Sequence, residues 1–250
     1  MTTTMAAALN AALRDSLRDD DRVVVYGEDV GRLGGVFRVT DGLQREFGVE
    51  RCFDTPVAES GIAGTAVGMA LYGLRPVVEM QFDGFSYPAL DQVISHVAKF
   101  RNRSRGSVGL PIVIRIPYGG GIGAVEHHSE SPEAYYAHTA GLTVVSPGTP
   151  SDAYVLLRAA IEHPDPVVFL EPKRRYWQKE DVDLPVSGEP IGRAAVRRSG
   201  TTATLIAYGP MVTTALDAAD AAREEGWELE VIDVRTLTPL DLGTLSTSVV

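Results

Sequence analysis

The feature that most constrains this chain is the alternation of two hydrophobic rhythms. Short, nearly continuous apolar runs recur: Val23-Val-Val-Tyr26, Pro76-Val-Val-Glu-Met-Gln-Phe82, Ile112-Val-Ile-Arg-Ile116, Leu142-Thr-Val-Val145 and Val167-Val-Phe-Leu170. A strand covered on both faces has no solvent side on which to place polar residues, so such runs mark buried strands of a parallel sheet. Between them the apolar spacing changes to three and four, as in Met5, Leu9, Leu13, Leu17, in Leu90, Val93, Ile94, Val97, and in Ala153, Leu156, Leu157, Ala160, Ile161. Each set forms one stripe of a helix. Strand and helix repeated in this way predict an α/β fold, a doubly wound and mostly parallel sheet with helices on both faces. Ligands of such sheets bind beyond the carboxyl ends of the strands.

From Glu171 to Pro190 the rhythm lapses into a stretch rich in charge, proline and glycine, which reads as a linker. Beyond it come a strand at Thr204–Tyr208, an alanine-rich helix from about Val212 to Glu225, a strand at Glu228–Val234 and a helix start after Pro239. Two βα units are few for an independently stable open sheet. The expected organisation is therefore one α/β domain over residues 1–185 and the start of a second, incomplete α/β domain over 186–250.

Charge and cysteine usage exclude several classes of function. The formal net charge is −10 and no long basic block is present, which argues against electrostatic capture of nucleic acid or of an anionic membrane. The longest apolar runs are strand-sized, too short to span a bilayer. A single cysteine, Cys52, allows no disulfide framework and no Cys-rich metal site, so the reducing cytoplasm is the expected compartment. The first ten residues lack the basic and apolar regions of a signal peptide.

Several local motifs fail the demands of their chemistry. Gly119-Gly-Gly-Ile-Gly-Ala124 follows a strand but opens no apolar helix, so it makes a weak dinucleotide loop. Gly84-Phe-Ser86-Tyr-Pro88 lacks the second glycine of a hydrolase elbow. His127 and His128 are adjacent and cannot converge from one helical face as zinc ligands do; on their own they read as solvated loop residues. Lys99, Arg101, Arg103 and Arg105 close a helix, where dipole complementarity accounts for them.

Glu59 asks for more. The ring of Pro56 fixes its own φ and biases Thr55 towards extended geometry, which ends a strand, and the apolar spacing of Ile62, Val67, Met69 and Leu71 starts a helix. Glu59 thus stands at a helix N-terminus, beyond the carboxyl end of a strand. An isolated acid there complements the helix dipole by about 0.3–1 kcal/mol and needs no further role.

The motifs taken in order change that balance. They are Gly27-Glu28-Asp29-Val30-Gly31, Gly34-Gly-Val-Phe-Arg38, Asp54-Thr-Pro-Val-Ala-Glu59-Ser-Gly-Ile62, Gln81-Phe-Asp-Gly-Phe85 before Pro88-Ala-Leu-Asp-Gln92, His128-Ser-Glu-Ser-Pro-Glu133, and Phe169-Leu-Glu-Pro-Lys173. With these the chain, from about Met5 to Val250, resembles the beta subunit of the thiamine-diphosphate-dependent first component of the 2-oxo acid dehydrogenase complexes. The fold implied is a pyrimidine-binding α/β domain followed by part of a transketolase-type C-terminal domain.

The resemblance implies a role for each of several residues. Glu59 matches the carboxylate that hydrogen-bonds ring nitrogen N1′ of the cofactor's aminopyrimidine and favours the imino tautomer, with the cofactor supplying the rest of the chemistry. Phe85 would stack on the aminopyrimidine, Val57 and Gln81 would line its pocket, and Glu28 would lie close to Glu59. His128, rather than His127, matches the active-site histidine that attends the incoming lipoyl group, a place where a general acid is chemically sensible. A structural potassium ion held largely by backbone carbonyls would fall near Leu110, Ile112, Ala160, His163 and Asp165, although His163 stands where the family usually has an acid.

An absence completes this expectation. The family binds the diphosphate through magnesium on a Gly-Asp-Gly motif, and none occurs in these 250 residues. The resemblance then implies an alpha subunit that supplies the diphosphate and magnesium half, in an α2β2 assembly. It implies decarboxylation of a 2-oxo acid and transfer of the acyl group to a lipoyl arm on a separate acyltransferase. Gly34–Arg38 and His128–His138 lean slightly towards branched-chain 2-oxo acids over pyruvate. A transketolase-like carbon–carbon transferase subunit and a non-catalytic assembly subunit are the alternatives.

Overall fold

The computed structural model describes residues 2–249, with Val249 described by its backbone alone. In chain order the first elements are β1 (Thr2–Thr4), α1 (Met5–Asp19), β2 (Val23–Gly27), α2 (Leu43–Phe47), β3 (Cys52–Asp54), α3 (Glu59–Leu71) and β4 (Arg75–Glu79). A composite helix follows: a 3-10 segment Gly84–Ala89, α4 (Leu90–Gln92), a π segment Val93–Val97 and α5 (Phe100–Arg103). Then come β5 (Val113–Tyr118), α6 (Glu133–Ala137), β6 (Thr143–Val145), α7 (Pro150–Glu162), β7 (Val167–Pro172) and β8 (Lys179–Asp181). The chain continues through β9 (Ala195–Arg198), β10 (Ala203–Ala207), α8 (Met211–Glu224), β11 (Leu229–Asp233), β12 (Thr236–Thr238) and α9 (Leu242–Val249).

The main sheet has the order β12-β6-β7-β5-β4-β2-β3, parallel apart from β12. The continuous apolar runs are explained by which face each residue enters. Val23 and Val25 of β2 enter the core beneath α1 and α7, while Val24 and Tyr26 enter the core beneath α3 and the composite helix. β4, β5 and β7 divide in the same way, with Val77, Val113, Val167 and Phe169 on the first side and Val78, Ile114, Val168 and Leu170 on the second. This is the doubly wound α/β sheet that the sequence predicts. The Met5–Leu17 stripe of α1 is fully buried, and the Thr4 hydroxyl caps the helix by accepting from the Ala7 amide at 3.2 Å.

Chain direction across the sheet reverses between β2 and β4. From β2 the chain moves outward to β3, then returns through α3 to β4 on the other side of β2. A reversal of this kind leaves a crevice at the carboxyl ends of the two strands, the usual ligand position in open α/β sheets. Glu28 follows β2, Gln81 lies just beyond β4, and α3 begins at Glu59.

Two segments differ from the sequence reading. The expected helix around Leu90–Val97 is a 3-10, α, π and α succession, and Pro88, which has no N–H to donate, lies in its 3-10 part. The stretch read as a linker carries structure over its first half: Glu171 and Pro172 finish β7, Lys173 and Tyr176 are fully buried, and Lys179–Asp181 pairs antiparallel with Thr2–Thr4. Two of its charges, Glu171 and Lys173, misled the reading because they are neutralised inside the molecule, whereas Arg174, Lys179 and Asp181 are exposed.

Beyond it lies a small sheet of order β10-β11-β9. After β11 the chain returns to the main sheet, where β12 pairs antiparallel with β6. Arg235, fully buried between β11 and β12, donates to Asp152 Oδ1 of α7 at 2.9 Å and to the carbonyls of Arg193 at 2.9 Å and Glu189 at 2.8 Å. Arg197 of β9 adds ion pairs to Asp233 at 2.9 Å and to Asp152. The small sheet is thus fastened to the main one by both a strand and a buried charge cluster.

Candidate functional site

Two carboxylates meet at the reversal point. Glu59 opens α3 and is 8% exposed; Glu28 is 4% exposed, and neither of its carboxylate oxygens has a hydrogen-bond partner. Burial penalises the charged form of Glu28, and the negative charges of Glu59, Asp29 and Glu79 add to that penalty, raising its pKa to about 7. An unpartnered buried carboxyl is costly and uncommon in folded proteins. It fits a ligand that brings a hydrogen-bonding edge to this point, such as a ring nitrogen or an exocyclic amine. Asp29, next in the chain, adopts a positive φ of 58° and accepts a hydrogen bond from Gln81 Nε2 at 2.8 Å, joining the ends of β2 and β4.

The second part of the site is aromatic. Phe85, half-buried on the 3-10 segment, lies edge-on to Phe82 at 5.6 Å and to His128 at 5.3 Å between ring centroids. His128 stacks on Phe82 at 4.0 Å with 24° between the planes, and its Nδ1 is buried with no partner. Gly84 makes this approach possible. A Cβ there would lie 2.5 Å from the His127 carbonyl oxygen and 2.9 Å from its Cα, so any larger residue would push the histidine loop away. His127 is exposed with φ of 60°, and its neighbour alone enters the aromatic cluster.

The sequence-derived residues are therefore brought together in two groups, Glu28 with Glu59 and Gln81, and Phe85 with His128. Val57, two residues before Glu59, is 77% exposed. Beside it, Tyr26, Phe53, Pro56, Ile62 and Met69 line an apolar cavity of about 220 Å³.

The residues named for potassium converge at the turn between α7 and β7, next to the start of β5. The carbonyls of Leu110, Ile112 and Ala160 each accept one backbone bond, from Ile112, Val167 and His163. The Arg75 guanidinium donates to the carbonyls of Ile161 at 2.8 Å and His163 at 3.5 Å, and Asp165 is ion-paired with Arg101. His163 Nδ1 lies 2.9 Å from the Asp165 carbonyl oxygen. Two guanidinium groups thus already bring positive charge to this turn.

Sequence reading gave no role to a buried ionic chain beneath the site. Arg115 of β5 donates from Nε and Nη2 to the two oxygens of Glu171 at 2.7 and 3.0 Å and from Nη1 to Glu79 at 2.6 Å. Tyr176 donates to Glu171 at 2.6 Å. A signal was present: single charged residues interrupt three adjacent apolar runs near their carboxyl ends, each on the side of the sheet that faces α1 and α7. Lys173 and Asp83, likewise inside quoted motifs, form a second fully buried ion pair at 2.8 Å.

Fold and site together define the pyrimidine-binding part of a transketolase-type enzyme. Residues 1–178 match the family described as transketolase, pyrimidine binding domain, and residues 192–250 match transketolase, C-terminal domain. Similar solved structures include a split-gene transketolase in an inactive beta4 tetramer, with a TM-score of 0.76 and 24% identity over 96% of this chain and 73% of that one. The transketolase from Campylobacter jejuni gives a TM-score of 0.74 at 16% identity, over 94% of this chain and 36% of that one. Both likenesses bear on the fold alone. Among curated relatives, the 3-methyl-2-oxobutanoate dehydrogenase subunit beta of Mycobacterium tuberculosis is 60% identical over 98% of this chain and 71% of its own length. The pyruvate dehydrogenase E1 component subunit beta of Leifsonia xyli is 56% identical over 98% and 73%, and the 2-oxoisovalerate dehydrogenase subunit beta of Bacillus subtilis is 49% identical over 94% and 72%. The chain belongs to the beta subunits of the thiamine-diphosphate-dependent 2-oxo acid dehydrogenases.

Proposed function

We propose that this chain, with an alpha subunit in an α2β2 assembly, decarboxylates a 2-oxo acid and passes the acyl group to a lipoyl arm carried by a separate acyltransferase. A branched-chain 2-oxo acid is favoured slightly over pyruvate, since relatives of both kinds match closely and the one at 60% identity is of the first kind. The observation that carries the reading is the Glu28–Glu59 pair at the sheet's reversal point, buried, with Glu28 lacking any partner of its own. Thiamine diphosphate supplies the electron sink for decarboxylation. Glu59 would hold the aminopyrimidine at N1′ and fix its tautomer. Glu28, whose pKa near 7 lets it carry a proton at neutral pH, would sit behind Glu59 as a donor or acceptor. Phe85 would take the aminopyrimidine face, with Gln81 and Val57 at its edge, and the exposure of Val57 leaves it free for an incoming subunit. His128 would serve as the acid for the incoming lipoyl sulfur.

The diphosphate and its magnesium fall to the alpha subunit, because Gly-Asp-Gly is missing here. The purified chain alone should therefore bind thiamine diphosphate poorly and show no decarboxylation, and it should gain both with its alpha partner. Tight magnesium-dependent binding by the isolated chain would defeat this reading. A panel of branched-chain acids and pyruvate, offered to the assembled enzyme, then decides the substrate.

A potassium ion at the α7–β7 turn belongs to the same proposal, held by the second lone pairs of the Leu110, Ile112 and Ala160 carbonyls together with His163 and Asp165. Exchanging sodium for potassium should raise the melting temperature of the assembled enzyme, and an unchanged value would leave the turn to Arg75 and Arg101. The reducing cytoplasm remains the compartment proposed, with Cys52 a buried free thiol. Among the described residues no helix is long and apolar enough to cross a membrane.

A further inference from the structure

Behind the candidate histidine lies an ion pair that the proposed chemistry does not use. The side chains of Lys173 and Asp83 are both fully buried, with Nζ 2.8 Å from Oδ1. Burying two charges is costly, and an apolar pair of the same volume often stabilises a fold as well, so stability alone is a weak reason for it. Its neighbours suggest another. Asp83 immediately precedes the 3-10 segment that carries Phe85, and its carbonyl accepts bonds from the Ser86 amide at 3.0 Å and hydroxyl at 2.6 Å. Lys173 Nζ also lies 5.7 Å from the centroid of the Phe82 ring, within the range of cation–π attraction. Phe82 is the ring on which His128 stacks. The Phe85 turn is thus held by the Asp83 carbonyl and keeps those bonds without the ammonium, whereas the ring that supports His128 faces the ammonium directly.

We propose that Lys173 is a positioning residue, which sets the plane of the His128 imidazole by gripping Asp83 and Phe82. It acts through those two side chains and touches neither substrate nor cofactor. The inference rests on the reading of His128 as the acyl-transfer histidine. The deletion of the Lys173 charge should loosen Phe82 and let His128 leave its stacked position, while Glu28 and Glu59 at the other end of the site stay in place. Misplacement of a reacting group by about 1 Å can cost on the order of 100-fold in rate, so a loss between 10- and 100-fold in the step served by His128 is expected.

The test uses the assembled alpha–beta enzyme. Lys173→Met alone would strand the Asp83 carboxylate, so the working variant is Lys173→Met with Asp83→Asn, which removes both charges at little change in shape. It should acylate the lipoyl group about 10- to 100-fold more slowly, while decarboxylation with an artificial acceptor and cofactor affinity change by less than about threefold. Adding His128→Ala should then cost nothing beyond His128→Ala itself, the non-additivity expected of residues acting through one another. Carbethoxylation of His128 by diethyl pyrocarbonate, followed by mass spectrometry, should be several-fold faster than in the wild type. Wild-type acylation, equal losses in both reactions, or costs that add to His128→Ala would each overturn the proposal. If His128→Ala by itself spares acylation, the reading of that histidine falls instead, and the modification rate decides alone: an unchanged rate overturns the positioning role.

Discussion

Arg115 and Glu171 form a two-pronged ion pair in the interior of the main sheet, at 2.7 and 3.0 Å, with both side chains wholly out of solvent. Parallel pairing of β5 with β7 sets Arg115 opposite Phe169 and Glu171 opposite Pro117, so the guanidinium reaches along the sheet to the carboxylate while its remaining nitrogen takes Glu79 from the other side. Arg115→Met would leave two buried carboxylates without a counter-ion. Breaking a buried pair from one side typically costs about 3–5 kcal/mol. Urea unfolding should show a loss of that order, and a loss below about 1 kcal/mol would mean that the two carboxyls simply protonate at little cost.

Glu59→Gln removes the acid while keeping its volume at the first position of α3. Folding and subunit assembly should be nearly unaffected, since only a dipole contribution of about 0.3–1 kcal/mol is at stake. Exchange of the thiazolium proton in the assembled enzyme should slow sharply, as followed by deuterium incorporation. Near-normal exchange would remove Glu59 from the relay.

Glu28 makes the stability of the isolated chain depend on pH in a stated direction. Its pKa is raised on folding, from an ordinary 4.5 to about 7, so the folded state binds the extra proton between those values. Stability from this group is full below about 4.5, falls as pH rises towards 7 and levels off above it. Glu28→Gln should flatten that decline and make the chain more stable than wild type at pH 8. Denaturant midpoints across pH 5–8 check this, and parallel curves for the two proteins would count against it.

His128 and His127 should separate in function as they do in space. His128→Ala should impair lipoyl acylation by about 10²–10⁴-fold, the usual scale of general acid assistance, and affect decarboxylation with an artificial acceptor much less. His127→Ala should disturb both only slightly. Assays of the two variants side by side decide the matter, and a larger loss for His127 would reverse the assignment.

Much of this architecture was legible in the chain because buried parallel strands write themselves as uninterrupted apolar runs. Val23–Tyr26 and Val167–Leu170 were readable for that reason. β12 was not, since Thr236-Leu-Thr238 is too short and too polar to signal a strand, and its partner β6 lies ninety residues back. Glu28 and Glu59 were found through motif resemblance, while the burial that gives Glu28 its unusual proton affinity is a tertiary fact. Lys173 was misread for the opposite reason: a charged residue in a charge-rich segment reads as solvated until its counter-ion Asp83, ninety positions away, is seen beside it.

β12 also sets a condition on how the chain is made. A strand edge with unpaired N–H and C=O groups is a template for other chains. Every strand of the main sheet except β12 has been synthesised once Pro172 leaves the ribosome, yet the outer side of β6 has no partner until Thr236–Thr238 emerges and pairs with Val144 and Val145. Through the synthesis of the whole intervening segment, the growing protein carries an open seam. Once β12 pairs, the edge passes to a strand of only three residues, which offers little template, and the small second sheet is the segment that delivers it.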